Sequence, residues 1–222
     1  MNRRFYRDLL KQHGVGALLF HVAYRAANRV LHLRVWNTLV ITMDTIDPEI
    51  LGESRKAGVR MLEASAMRPY ADNPEYGLTQ QALDEAIARG DRCAAIFDGN
   101  VLAAYGWYAT QPIRLLEIPG APLLHFDPAY AYMYNGFTHP TYRGKRLHAL
   151  GMAAALEVYT QEGRAGLVSY VDSSNFSSLK SCRRMGYSSF GRVSMFALGA
   201  RQHYSSTRGC KRYDFRIEPV TG

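Results

Sequence analysis

The 222-residue chain predicts a mixed α/β fold, a single sheet carrying helices on both faces. Three observations lead there. Helix-period segments dominate up to residue 89, around one β-branched run. Period-two segments then follow one another from residue 93 to residue 138. From there to the end, strand and helix patterns alternate. Elements in that order bury their apolar faces by layering helices onto one sheet.

Each element has its own signal. Val15, Leu19, Val22, Ala26, Val30 and Leu33 recur at three- and four-residue steps, so residues 15–33 read as an amphipathic helix. His21, Arg25, Arg29 and His32 line another face of it. VWNTLVITM, 35–43, is β-branched and apolar, a first strand. Asp47 then caps and Pro48 opens a helix predicted to run to about Met67. PYADNPEYG, 69–77, is a loop, and Thr79 caps a short helix through Arg89. CAAIF and VLAAYGWYAT flank the turn Asp98-Gly99-Asn100 as a hairpin. Residues 112–126 hold a strand or two, and YAYMYNGFT, 130–138, is a strong strand ended by His139-Pro140. A helix over 147–161, a strand over 166–171, a helix over 175–185 closed by Gly186, and strands near 188–198 and 210–217 complete the chain.

Composition bounds the function. Hydrophobic residues make up 47% and charged residues 21%, enough for a globular core. Cys93, Cys182 and Cys210 match no metal-knuckle spacing, so no metal site is expected, and an odd, scattered count argues for a reducing compartment. No apolar run is long enough to span a bilayer. The expected location is cytoplasmic, with the inner face of the membrane as the one peripheral alternative. The net charge is +8, unevenly spread: the first 35 residues carry Arg3, Arg4, Arg7, Lys11, Arg25, Arg29 and Arg34 against Asp8 alone. Such asymmetry suits a nucleic acid, a membrane surface or an acidic partner, or no partner at all. Tyrosines among basic residues can stack bases, but Tyr130, Tyr132 and Tyr134 share one face of one strand, and no RNA or DNA signature is present.

The chemistry concentrates in PTYRGKRLHAL, where a strand runs into a basic loop that opens a helix. Free N–H groups of the first helical turn, near Lys145 to Leu147, together with the helix dipole, suit phosphate oxygens. Arg143, Lys145 and Arg146 add charge, and Gly144 lets a ligand approach the backbone. The alternative is a basic helix start that binds nothing.

FTHPTYRGKRLHALGMAAAL resembles the acyl-CoA-binding motif of GNAT acyltransferases, whose loop reads Arg/Gln-x-x-Gly-x-Gly/Ala after a strand. VSYVDSSNFSSLKSCRRMGYSSFG is similar to their following strand and helix, with Asn175, Ser178, Gly186 and Tyr187 at the matching positions. The motifs span 130–192, and the resemblance extends over roughly 36–217. It implies a mixed, mostly antiparallel sheet of six to seven strands and an acyltransferase domain over 35–222, preceded by a basic helical extension over 1–34. It also implies acetyl-CoA or another acyl-CoA as co-substrate and an amine as acceptor. On this resemblance the donor is held by main chain at Gly136, Phe137 and Thr138, by Arg143, Gly144, Lys145, Arg146, Leu147 and His148, and by Asn175 and Ser178. Asn175 also reads as a helix cap. The family's two loop glycines fall on Arg146 and His148, a departure that leaves the N–H groups in place but requires the side chains to turn away or grip phosphate themselves.

The catalytic positions depart further. The family's tyrosine acid falls on Cys182, which is either a thiol acid or a packing residue. Tyr134 is the alternative acid or a core aromatic. No carboxylate lies on the strand at 130; Asp127 is close, as a base or as a turn former. Three functions fit. One is an acyl-CoA-dependent N-acyltransferase. Another is an enzyme that takes its acyl group from acyl carrier protein, as N-acyl amino acid synthases of the superfamily do. The third is a catalytically silent domain that binds acyl-CoA. For the N-terminal helix, the apolar stripe is expected to pack on this protein's own sheet or on a second copy, as a homodimer would. The other reading docks it on an anionic membrane surface or acyl carrier protein.

Overall fold

The computed structural model describes residues 3–198 and 201–220. Eleven strands and five α-helices follow in the order α1 (Arg3–Leu31), β1 (Arg34–Ile41), α2 (Pro48–Ser54), β2 (Arg60–Glu63), α3 (Gln80–Arg89), β3 (Arg92–Asp98), β4 (Val101–Ala109), β5 (Ile113–Arg114), β6 (Leu123–His125), β7 (Tyr130–Thr138), α4 (Leu147–Gln161), β8 (Gly166–Asp172), α5 (Phe176–Met185), β9 (Ser188–Leu198), β10 (Arg201–Ser206) and β11 (Arg216–Glu218). Eight strands form one sheet in the order β10-β9-β1-β8-β7-β4-β3-β2; β11, β6 and β5 form a second, small one. Every neighbouring pair in the large sheet is antiparallel except β7 and β8.

The sheet buries both faces. On one, Leu39, Ile41, Tyr108, Ala131, Met133 and Leu167 meet Ile50 of α2 and Met152, Ala153 and Leu156 of α4. On the other, Trp36, Val40, Tyr132 and Val168 meet Leu124 and Ile217 of the small sheet and Phe215 beside it. Leu83 and Ala86 of α3 cover Cys93, Ala95 and Trp107 toward the far edge. Alternation along each strand therefore decides which layer a residue serves.

Caps read from the sequence are present. Asp47 accepts from Glu49 N (2.9 Å), Thr79 from Ala82 N (3.2 Å) and Asn175 from Ser178 N (3.1 Å). Gly186 ends α5 with φ 101°, and a Cβ there would stand 1.9 Å from Thr45 O, so only glycine fits.

Four elements differ from the expectation. The helix from Pro48 stops at Ser54, because Gly58 turns the chain with φ 63° and residues 60–63 pair with β3 as an edge strand. The expected strand at 210–217 is mostly a 3₁₀ turn (Arg208–Tyr213), with β11 after it. The large sheet has eight strands because β10 pairs with β9; its RQHYSS sequence is polar, as suits an edge, and gives little strand signal. The N-terminal helix begins at Arg3 and is interrupted by Gly14 in a non-helical, positive-φ conformation (φ 81°, ψ 176°). The side chains of Arg3, Arg4, Arg29 and Val30 lie outside the described residues.

Candidate functional site

The site forms where the one parallel pair among the described residues comes apart. β7 and β8 are in register at Tyr130–Gly166, Ala131–Leu167 and Tyr132–Val168, and Ser169 Oγ still donates to Met133 O at 3.1 Å. Beyond that point β7 slips against β4: Trp107 faces Tyr134 but Tyr105 faces Phe137. The one extra residue is taken up at Asn135, whose φ is 45°. A bulge of this kind bends its strand, while β8 continues beside β1 as far as Asp172. The gap is a cleft of about 660 Å³, lined by Tyr134, Asn135 and Gly136 on one side and Tyr170, Val171 and Asp172 on the other.

On the α4 side of the sheet a second cleft of about 590 Å³ adjoins the basic loop. Thr138, Arg143, Gly144, Arg146, Leu147 and His148 line it, with Ser181 and Arg184 from α5. Gly144 (φ 85°) and Arg146 (φ 60°) both take left-handed conformations, and α4 starts at Leu147 with no side-chain cap. Arg146 thus adopts the backbone of a loop glycine while keeping a long side chain, which turns to Glu53 (3.4 Å). Lys145 is absent from the lining; its Nζ lies 4.8 Å from the centre of the Tyr142 ring. His148 lines both clefts, and burial lowers its pKa, so it is neutral at pH 7. Its ring packs against the α-carbon of Gly136.

The other expected residues divide. Asn175 and Ser178 line the first cleft, and Asn175 is also the α5 cap, so both sequence readings of it fit the geometry. Phe137 turns away, stacked on Tyr105 (ring centroids 5.2 Å apart) in the α3 layer. Cys182 lines the first cleft and packs partly against the core; burial pushes its thiol pKa up to about 11. Asp127 lines neither cleft. Its carboxylate accepts from Ala129 N (2.8 Å) in the turn before β7, at the opposite end of that strand from the gap. It is a turn former, and the base reading is corrected accordingly.

The sequence reading missed the charged network behind Tyr134. Asp91, whose side chain is fully buried, receives Arg89 Nη2 at 2.7 Å and the Tyr134 hydroxyl on the same Oδ2. Arg89 Nη2 also donates to the Tyr134 oxygen (3.1 Å), and Arg89 pairs with Glu85 (3.4 Å). Burial raises the Asp91 pKa above the usual carboxylate value and, with the Asp91 charge, raises that of Tyr134. Arg89, Glu85 and Tyr134 face the first cleft; across it Tyr170 donates to Glu117 (2.8 Å). The signal in the sequence was Gly90-Asp91: a glycine helix end followed by an acid immediately before a buried strand.

The parting of β7 from β8 lies just before the basic loop and helix start, where the sequence resemblance implied main-chain contacts to a donor at Gly136 to Thr138. The large sheet is mixed and mostly antiparallel, as the resemblance to GNAT acyltransferases implied. No protein-family model matches the chain, and no curated protein matches it in sequence. Solved structures similar to it include an acetyltransferase of the GNAT family from Colwellia psychrerythraea, at 14% identity and TM-score 0.48, over 79% of this chain and 61% of that one. A GCN5-related N-acetyltransferase from Kribbella flavida matches at 15% identity and TM-score 0.43, over 81% of this chain and 64% of that one. Another, from Sphaerobacter thermophilus, matches at 15% identity and TM-score 0.41, over 83% and 56%. The chain thus spans about three fifths of the length of these structures. At such identities the likeness concerns fold alone.

Proposed function

We propose that the chain is an N-acyltransferase that moves an acetyl or longer acyl group from acyl-CoA to an amine. The observation that carries this reading is the gap between β7 and β8, with a basic helix start on one side and a buried proton-accepting network on the other. The groups present fit the donor. Arg143, Arg184 and the N–H groups at the start of α4 suit phosphates. The unpaired edge of β7 at Asn135 and Gly136 suits the amides of a pantetheine arm, which would lie like an added strand. Bound acyl-CoA would supply a thioester whose carbonyl carbon is the electrophile.

The chain's own part is proton handling. An ammonium at Tyr134 gives a proton to the phenol oxygen while the phenol gives its own to Asp91 Oδ2; the amine gains a lone pair and Asp91 becomes neutral. Arg89 holds the phenol oxygen and keeps its charge throughout. The amine nitrogen then bonds to the acyl carbon and the carbon–sulfur bond breaks. The proton on Asp91 returns through Tyr134 to the thiolate, and the remaining excess proton on nitrogen leaves to water. The sum is one amide, one thiol and one proton released.

Acyl carrier protein is a second donor consistent with the site, because Lys180, Arg183 and Arg184 stand exposed on α5 beside the second cleft. The test measures CoA binding by calorimetry, then thiol release and product mass with acetyl-CoA, longer acyl-CoAs and a panel of amines, with acyl carrier protein as competitor. CoA binding with no turnover on any amine or donor would leave a silent binding domain. Absence of CoA binding would end the reading.

A further inference from the structure

α1 docks through the face that sequence hydropathy assigns to solvent. Its buried residues are Leu9, His21 and Tyr24. Tyr24 Oη accepts Val35 N at 2.8 Å and donates to Asp172 at 3.4 Å, and Phe20 meets the edge of Phe176 on α5 at 6.0 Å. At 100° per residue, the line through positions 15, 19, 22 and 26 lies opposite the line through 17, 21 and 24. That outer line is apolar and open to solvent: Val15 is 62%, Leu19 64% and Val22 50% exposed. The expectation that the stripe packs on the protein's own sheet is therefore corrected. The reason is local: Tyr24 reaches β1 and β8 with hydrogen bonds and Phe20 reaches α5 with a ring contact, which the aliphatic side cannot.

We infer that this stripe is the docking face for an anionic lipid surface. Three features favour that occupant. The stripe is continuous over about 16 Å from Val15 to Ala26, an apolar face of the kind that an interfacial helix buries. Exposed Arg25 flanks it, exposed Arg7 and Lys11 stand on the segment before Gly14, and Asp8 is the one acid in the first 35 residues. α5, against which α1 packs, has no acid at all. A second copy would bring these cations face to face with their equivalents, and an acidic protein would meet the charge but leave the aliphatic line unmatched. Among the described residues no helix is long and apolar enough to cross a membrane, so the helix lies on the surface rather than through it. From its opposite, buried side α1 holds Asp172, which lines the first cleft, so the docked helix backs onto that cleft.

The experiment is co-sedimentation of the full chain with phosphatidylcholine vesicles, with and without phosphatidylglycerol, at low and physiological salt. Two variants accompany it, Val15→Asp with Leu19→Asp, and Lys11→Glu with Arg25→Glu, all at exposed positions, with circular dichroism as the fold check. Wild type should pellet with the anionic vesicles, less at higher salt. Each double variant should lose about tenfold or more in vesicle affinity. No pelleting of the wild type, or equal pelleting of all three proteins, overturns the proposal. So does a dimer in solution that the aspartate variant dissolves, or capture by acyl carrier protein without vesicle binding.

Discussion

The imidazole of His148 occupies the space that a side chain at position 136 would need: a Cβ on Gly136 would stand 2.4 Å from His148 Cε1. The bulge on β7 and the first turn of α4 are therefore fitted to each other, at the point where the two clefts meet. Gly136→Ala should cost about 1–3 kcal/mol by overpacking and weaken CoA binding by displacing the ring. Adding His148→Ala should recover part of both losses. Thermal denaturation and calorimetry on the cycle measure this, and strictly additive effects would mean that the two residues do not compete for space.

Replacing Asp91 by Asn, or Tyr134 by Phe, should lower kcat by about 10²–10⁴-fold, with less change in KM. The wild-type rate should rise with pH as Asp91 ionises, at a pH above the ordinary carboxylate range, because burial raises its pKa. In the Asn variant that limb should disappear. For stability the sign is reversed. A carboxyl whose folded pKa is raised favours the folded state most below its unfolded pKa, and that contribution is lost as pH rises through the folded value. A pH–rate profile unchanged in both variants would make the network structural only.

Cys182→Ser should leave turnover within a few-fold of wild type. A thiol whose pKa is about 11 is a weaker acid than an ordinary thiol, so protonating a leaving thiolate from it is uphill. A large drop in kcat with unchanged CoA affinity would restore Cys182 as the acid.

Arg143→Ala with Arg184→Ala should weaken CoA binding about tenfold or more, since both side chains line the second cleft. Lys145→Ala should change it far less, because its ammonium is turned onto Tyr142. Calorimetry at two salt concentrations separates the effects, and equal losses from both sites would assign Lys145 to the phosphates after all.

The parts of this fold that were legible are those written in local chemistry. Asp47-Pro48, Thr79, Asn175 and Gly186 announce helix ends because caps act over three or four residues, and β7 declares itself through alternation. The positions from Gly136 to His148 were readable as a strand, a loop and a helix start. Asp91 was not, because its burial depends on Arg89 and Tyr134, the latter far away in sequence. The outward turn of the Val15–Leu19–Val22 line was equally invisible: amphipathic spacing gives the faces of a helix, and only the neighbouring elements decide which one is covered. Residues 60–63 became a strand through pairing with β3, a partner that the local pattern does not encode.

The two clefts joined at His148 have different walls, one made by the basic loop with α2 and α5, the other reaching α3 and the β5–β6 connection. In kinetic terms, two ligands held by different walls have no need to leave before each other. On the proposed reading, both substrates are resident together, so initial-velocity lines at varied concentrations of each should intersect. Parallel lines would mean that the acyl group rests on the protein between two half-reactions, and the one cysteine thiol lining the passage would become its carrier.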